Sequence, residues 1–314
     1  MHGVKLNQFI VTNIENYEEK VYGLSESIVE DFLKSKKVLS NTLKVETLYD
    51  QIIEAHLDFK NKLNYWNMRT AASMLLDYNL NYEIRSSLNR LAFNLLNLGK
   101  LYLDWHYFEE SKKNKKKSKN NNLPKTLAYD ITGDEAVIQK VREQRESIFD
   151  NNNLYRIACK LRGYSQHSAL PINKFRTNNI NNTAGFFICF EIFYEYDELI
   201  KIGVPKEILN QRETIDLKEI IDGYVYAIGQ KHALNRELIS DAVELAKNNI
   251  NALTNNYFNS SGFNNCCGRI ITIGLVKHNL DTEWFDVVNY LKKKNCFNIN
   301  HSNVKFDSFS AKKS

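Results

Sequence analysis

The sequence predicts a mainly helical protein: a helical bundle with a minor β element and additional C-terminal helices. Two observations carry most of that expectation. Leu48, Ile52, Ala55, Phe59, Leu63 and Trp66 recur at steps of three and four, as do Ile84, Leu88, Leu91, Leu95, Leu98, Tyr102 and Trp105. Each run is one continuous stripe down a long helix, which gains most by packing along a second helix. A third observation supplies the β element: Ala184 to Glu195 is aromatic and β-branched, a composition that suits a strand buried on much of both faces.

Taken in order, Val4 to Ile14 has strand character, and Ser25 and Ser27 precede Ile28, Val29, Phe32 and Leu33, with Glu30 three residues after Ser27. This pattern reads as a short capped helix. The two long helices follow. Ser111 to Lys125 carries Lys112, Lys113, Lys115, Lys116, Lys117, Lys119 and Lys125 among Ser and Asn, so it is expected to be a solvated basic linker. Helical spacing resumes from Gly133 to Phe149 and from Leu154 to Ala169, where Leu170-Pro171 supplies a stop. These segments complete four principal helices. Asn173 to Thr183 reads as loop, Pro205 as the start of a short helix to Arg212, and Thr214 as the cap of a longer one through Leu245. Beyond Phe258, Arg269 to Val276 resembles a strand and Thr282 to Lys293 a helix. The implied organisation is an N-terminal extension (1–42), a bundle with the basic linker 111–125 (43–172), a strand and helices packed on it (173–258) and a C-terminal extension (259–314).

Composition bounds the function classes. A chain of 314 residues with 43% apolar and 25% charged residues is long enough to bury its own core, so it requires neither a disulfide framework nor a structural metal. Five cysteines, two of them adjacent, suit free thiols in a cytoplasmic protein. The start lacks the pattern of a signal peptide. The most apolar run is interrupted by Glu191 and falls short of the roughly 20 residues of a membrane-spanning helix, so no membrane partner is expected. A net charge of +5 is compatible with an anionic partner. There is no Gly-rich phosphate loop, dinucleotide fingerprint or nucleophile elbow, and no cofactor is expected. His56, His106 and His232 lack a second ligand at helical spacing, and Cys266 and Cys267 lack that of a zinc site, so no metal site is expected.

Leu161 to Pro171 (Leu-Arg-Gly-Tyr-Ser-Gln-His-Ser-Ala-Leu-Pro) is the segment that could carry chemistry. On a helical wheel, Leu154, Ile157, Ala158, Leu161 and Tyr164 gather on the side expected to face the bundle. Arg156, Lys160, Gly163 and His167 form a nearly straight stripe on the other side, flanked by Arg162 and Gln166. Glycine inside a helix costs about 1 kcal/mol relative to alanine, so close approach of a ligand or another chain would be a compensating gain at Gly163. His167 lies in the last turn, where the negative end of the helix dipole attracts a cation. RNA is cleaved without metal when a base takes the 2′-hydroxyl proton, a cation neutralises the transition state and an acid protonates the leaving 5′-oxygen. Histidine and arginine suit those tasks. Arg162 and His167 are about 140° apart around one helix axis, so a second copy of the chain would be needed to close a pocket. Arg90, Asn94 and Asn97 share a face of the preceding long helix and could support that pocket or bond to neighbouring helices.

The segment resembles the HEPN superfamily, in particular bacterial members with a Leu-Arg-Asn-Tyr-x-Gln-His-x-x-Leu-Pro stretch. Asn89-Arg90-Leu91-Ala92-Phe93-Asn94 is similar to the family's earlier Asn-Arg-rich helix. The likeness covers residues 84 to 245. It implies an HEPN-like bundle, a homodimer with facing Arg and His residues, and metal-independent endoribonuclease activity in catalytic members, often as a toxin or phage-defence effector with an antitoxin or defence-system partner. On that resemblance Arg162 binds phosphate and His167 is the acid or base. Arg156, Lys160 and Gln166 are then candidate RNA contacts, with Arg90, Asn94 and Gly163 in support. Gly163 departs from the family, whose catalytic members usually carry Asn there. The alternative is therefore a non-catalytic HEPN-like RNA-binding or protein-interaction scaffold.

Overall fold

The computed structural model describes residues 7–73, 77–109, 124–182, 185–209, 212–264, 266–273, 276–280 and 282–296. It is mainly helical with a few small antiparallel sheets. In chain order the elements are β1 (Gln8–Asn13), β2 (Glu19–Gly23), α1 (Glu26–Ser73), α2 (Tyr78–His106), β3 (Tyr107–Phe108), β4 (Lys125–Thr126), α3 (Leu127–Thr132), α4 (Ala136–Asn151) and α5 (Asn153–His167). Then come β5 (Arg176–Asn182), β6 (Gly185–Glu191), β7 (Phe193–Glu195), α6 (Tyr196–Lys201), a 3₁₀ turn (Lys206–Ile208), β8 (Thr214–Asp216), α7 (Leu217–Ser261), β9 (Cys266–Ile273), β10 (Val276–Asn279), a second 3₁₀ turn (Glu283–Phe285) and α8 (Asp286–Lys294). Among the described residues, no helix is long and apolar enough to cross a membrane.

The chain divides into two compact units, and the long helices α1 and α7 contribute residues to both. The first unit takes residues up to 47, 128–134 and 236–294. Its sheet has the strand order β10-β9-β1-β2, antiparallel throughout. In β1, Phe9 and Val11 are fully buried two positions apart, as the period of a strand requires. Phe9 packs on the rings of Tyr257 (4.9 Å) and Phe258 (6.4 Å) at the end of α7. Within this unit Arg236 grips the buried carboxylate of Glu46 with two hydrogen bonds, of 2.9 and 2.6 Å. This is the fork geometry that makes an arginine–carboxylate pair strong.

The second unit takes residues 48–127, 135–235 and those from 295 on. All six stripe residues of α1 from Leu48 to Trp66 are buried. In α2 the buried side is Ile84, Leu88, Ala92, Leu95, Leu96, Gly99, Tyr102 and His106. Of the expected stripe Ile84, Leu88, Leu95 and Tyr102 are buried, Leu91 and Leu98 are only half-buried, and Trp105 is exposed, because a 3.6-residue period drifts away from the strict heptad and brings Ala92, Leu96 and Gly99 inside. Gly99 lets α2 and α7 touch: a Cβ there would sit 2.3 Å from the ring of Tyr224, whose hydroxyl donates to the Leu96 carbonyl.

Three local expectations are corrected. The helix starting near Ser25 is not short. Val38, Leu39, Thr42 and Val45 continue its buried side without a breaking Gly or Pro, so α1 runs unbroken to Ser73. Asn173 to Thr183 is not all loop, since Arg176 to Asn182 pairs antiparallel with Gly185 to Glu191. Thr214 is in a strand paired with Phe193 to Glu195, and Asp216, accepting from the Lys218 amide at 2.8 Å, is what leads into α7. Most of the basic linker, 110–123, lies outside the described residues.

Candidate functional site

The site is built where the end of α5 meets α2. Helix α5 begins at an Asn152 cap, whose side chain accepts from the Tyr155 amide at 2.9 Å. It ends at His167, with the Ser168 amide bonding back to Tyr164. Its buried side is Tyr155, Ile157, Ala158, Leu161 and Ser165. Leu154 and Tyr164, expected among these, are only half-buried.

Beyond the helix, Ile172 is clasped by the buried side chain of Asn89. The Ile172 amide donates to Asn89 Oδ1 at 2.6 Å, and Asn89 Nδ2 donates to the Ile172 carbonyl at 2.9 Å. This clasp satisfies both backbone groups of a buried residue that no sheet or helix serves. It also fixes the direction in which Leu170 and Pro171 leave α5. A further bond joins α2 to α5 itself on the exposed side, from Gln166 Nε2 to Asn97 Oδ1 at 2.9 Å.

Beside that bond, Arg90, Leu91, Phe93, Asn94, Asn97 and Leu170 line a cleft of about 540 Å³. The face Arg90–Asn94–Asn97 of α2 therefore flanks the end of α5. Lys160, Gln166 and His167 are exposed, and Arg156 is half-buried with its guanidinium 5.2 Å over the ring of Phe149. A Cβ at Gly163 would meet nothing within 4 Å, so this glycine borders open space and its lack of a side chain serves no close contact within the chain.

Arg162 is half-buried. Its Nε is buried with no hydrogen-bond partner among the described residues, and its charge reaches the Tyr224 hydroxyl and the Cys159 thiol. Neither Arg162 nor His167 lines the cleft. One copy of the chain thus brings Gln166, Asn97, Asn94 and Arg90 together and leaves Arg162 and His167 on different sides of α5.

Two histidines of the second unit, His56 and His232, pair with neighbouring side chains. His56 donates from Nε2 to Asp222 at 2.7 Å beside Lys60 at 3.0 Å from the same oxygen. Burial alone pushes the Asp222 carboxyl up, but the His56 hydrogen bond and the Lys60 charge outweigh it and hold the group below its usual range. His232 lies 3.9 Å under the ring of Tyr49 with Nδ1 3.0 Å from the Tyr102 hydroxyl. Among the described residues no three His, Cys, Asp or Glu side chains form a group that could hold a metal.

No family model, curated protein or solved structure significantly matches this chain.

The residue that sequence reasoning passed over is Asn89. Its signal was a polar side chain on the apolar stripe of α2, one position after Leu88, where an unbonded amide would be costly.

Proposed function

We propose that this protein is a metal-independent endoribonuclease that works as a homodimer. The observation that carries the reading is the end of α5, where Lys160 and His167 are exposed and Gln166 bonds to Asn97 on the rim of a cleft that Arg90 and Asn94 also line. A cationic and hydrogen-bonding surface of this kind suits a phosphodiester backbone. An accessible imidazole beside it suits proton transfer. The resemblance of Leu161 to Pro171 to HEPN proteins supplies the roles. Arg162 neutralises the phosphorane-like transition state, His167 moves the proton at the 2′- or 5′-oxygen, and Arg156, Lys160 and Gln166 hold the strand. The same resemblance supports a cytoplasmic toxin or phage-defence effector whose partner protein restrains it.

Because Arg162 and His167 lie on different sides of α5, the reading requires a second copy to complete each pocket. Cleavage of a mixed RNA pool in excess EDTA tests it. A 2′,3′-cyclic phosphate product is expected, lost in His167→Ala and in Arg162→Ala, and absent from a dilute sample in which sedimentation finds monomer. Wild-type turnover equal to that of His167→Ala overturns it.

Gly163 favours one second reading, a non-catalytic RNA-binding scaffold, since the position borders open space and offers no polar group. Gly163→Asn separates the two readings. The added side chain has room, and asparagine is the better helix former by about 0.3 kcal/mol, so the variant folds. A rise in cleavage supports the enzyme. Salt-dependent RNA binding without turnover in either protein supports the scaffold.

A further inference from the structure

The cleft beside the end of α5 offers more than contact with a phosphate would use. Its apolar part comes from Leu91 and Phe93, both half-buried on α2, and from the exposed Leu170. Its polar part comes from Arg90, Asn94 and Asn97. The Asn97 amide is engaged by the fold, since Nδ2 donates to the Phe93 carbonyl at 2.9 Å and Oδ1 accepts from Gln166 at 2.9 Å. Arg90 and Asn94 differ from it. Both are exposed, and neither forms a hydrogen bond or ion pair among the described residues. They lie four positions apart on one helix, which puts their Cβ atoms about 5–6 Å from each other. A guanidinium that only donates and an amide that both donates and accepts thus stand together at an apolar cleft.

This combination matches the edge and face of a purine base. A phosphate offers acceptors and no apolar face, so it leaves the Asn94 carbonyl and the three apolar side chains without a role. Both purines present the N7 acceptor, which pyrimidines lack, and they differ beside it: adenine carries the N6 donor and guanine the O6 acceptor. Arg90 can donate to N7 in either case. The Asn94 amide, turned one way or the other, accepts from N6 or donates to O6. The flat face of the base then covers Leu91, Phe93 and Leu170.

We infer that this cleft holds one unstacked purine base of RNA, with Arg90 reading N7 and Asn94 the substituent at position 6. The inference rests on the proposed function for its choice of RNA as the ligand. A base seated in the cleft has left any duplex, so the substrate class is single-stranded or looped RNA. Gln166, which is bonded to the rim, directly precedes His167 in the chain. The captured purine therefore belongs to a nucleotide at or beside the one that is cut, and Arg90 and Asn94 set sequence preference rather than move protons.

The test is binding of the full chain to 2′-O-methyl uridine hexamers carrying one adenosine or one guanosine, which the proposed chemistry cannot cut because the 2′-hydroxyl is blocked. By fluorescence anisotropy, each purine hexamer is expected to bind about tenfold more tightly than the all-uridine one. The 7-deaza purines, which lack the N7 acceptor, are expected to lose most of that gain. Asn94→Asp keeps the acceptor and removes the donors, so it is expected to favour adenosine over guanosine about tenfold. Its added negative charge weakens every hexamer alike and cancels from the ratio. Asn94 is exposed and unbonded among the described residues, so the variant folds. The inference is overturned if the wild type binds purine and uridine hexamers equally or binds none, if the gain survives in the 7-deaza purines, or if Asn94→Asp leaves the adenosine-to-guanosine ratio unchanged. Cleavage of unmodified RNA is scored separately. Turnover without purine preference removes this site and leaves the ribonuclease, whereas purine-selective binding without turnover supports the site and removes the ribonuclease.

Discussion

Replacing Asn89 by alanine cuts the clasp that holds the chain after α5. The Ile172 amide and carbonyl each lose their partner, and Ile172 is only 2% exposed, so water does not replace them without local opening. An unsatisfied buried polar group costs about 1–3 kcal/mol. With two such groups, less what relaxation recovers, the expected loss is about 2–4 kcal/mol. The loss concentrates at residues 170–173, which makes hydrogen exchange the sharper assay. Protection of the Ile172 amide is expected to fall by about 30-fold or more, since each 1.4 kcal/mol is a factor of ten. Peptides from α1 should keep theirs. If the clasp positions the candidate site, RNA cleavage or binding should fall with it, while the oligomeric state stays the same. Unchanged protection at Ile172 would refute the reasoning, because it would mean that the two bonds contribute nothing to closing this segment.

Further outcomes follow from the same structure. Gly99→Ala drives a methyl group to 2.3 Å from the buried Tyr224 ring, and denaturant unfolding should register a loss of about 1–3 kcal/mol or more, partly restored by Tyr224→Leu in the double variant. Arg236→Ala leaves the Glu46 carboxylate, 1% exposed, without its fork; a loss of about 3–5 kcal/mol is expected by denaturant titration, and a loss below 1 kcal/mol would count against the pair. Asp216 is raised, chiefly by burial, from 3.8 to about 6. Its folded value exceeds its unfolded one, so the wild type loses stability as pH climbs from 4 to 6 and the full penalty persists above that. Asp216→Asn should therefore be the more stable protein at pH 7 and equal to wild type near pH 3, as comparative melts at the two pH values would register.

The helices were legible because their information is local. The α1 stripe from Leu48 to Trp66 states a 3.6-residue period within a single stretch of chain and is buried throughout, and the α2 stripe marks its helix although burial there shifts from Leu91 and Leu98 to Ala92 and Gly99. The end of α5 was legible for the same reason, as a proline four residues after His167 marks it. The strands were less so. Arg176 to Asn182 is rich in Asn, which disfavours strands, and becomes one because β6 returns antiparallel beside it and completes its ladder. The middle of the first unit's sheet joins β1 to β9 from opposite ends of the chain, a pairing that no window along the sequence contains.

By itself the sequence determined which residues lie on the outer face of α5, because Arg156, Lys160, Gly163 and His167 are bound to one stripe by helix geometry alone. Only the tertiary structure decided what stands opposite that face. Asn89 reaches across 83 residues to clasp Ile172, Gln166 reaches across 69 to Asn97, and Arg90 and Asn94 come to border the same cleft as Leu170. The physical reason is that helix periodicity fixes an angle around an axis, whereas the neighbour met at that angle depends on how separate helices pack.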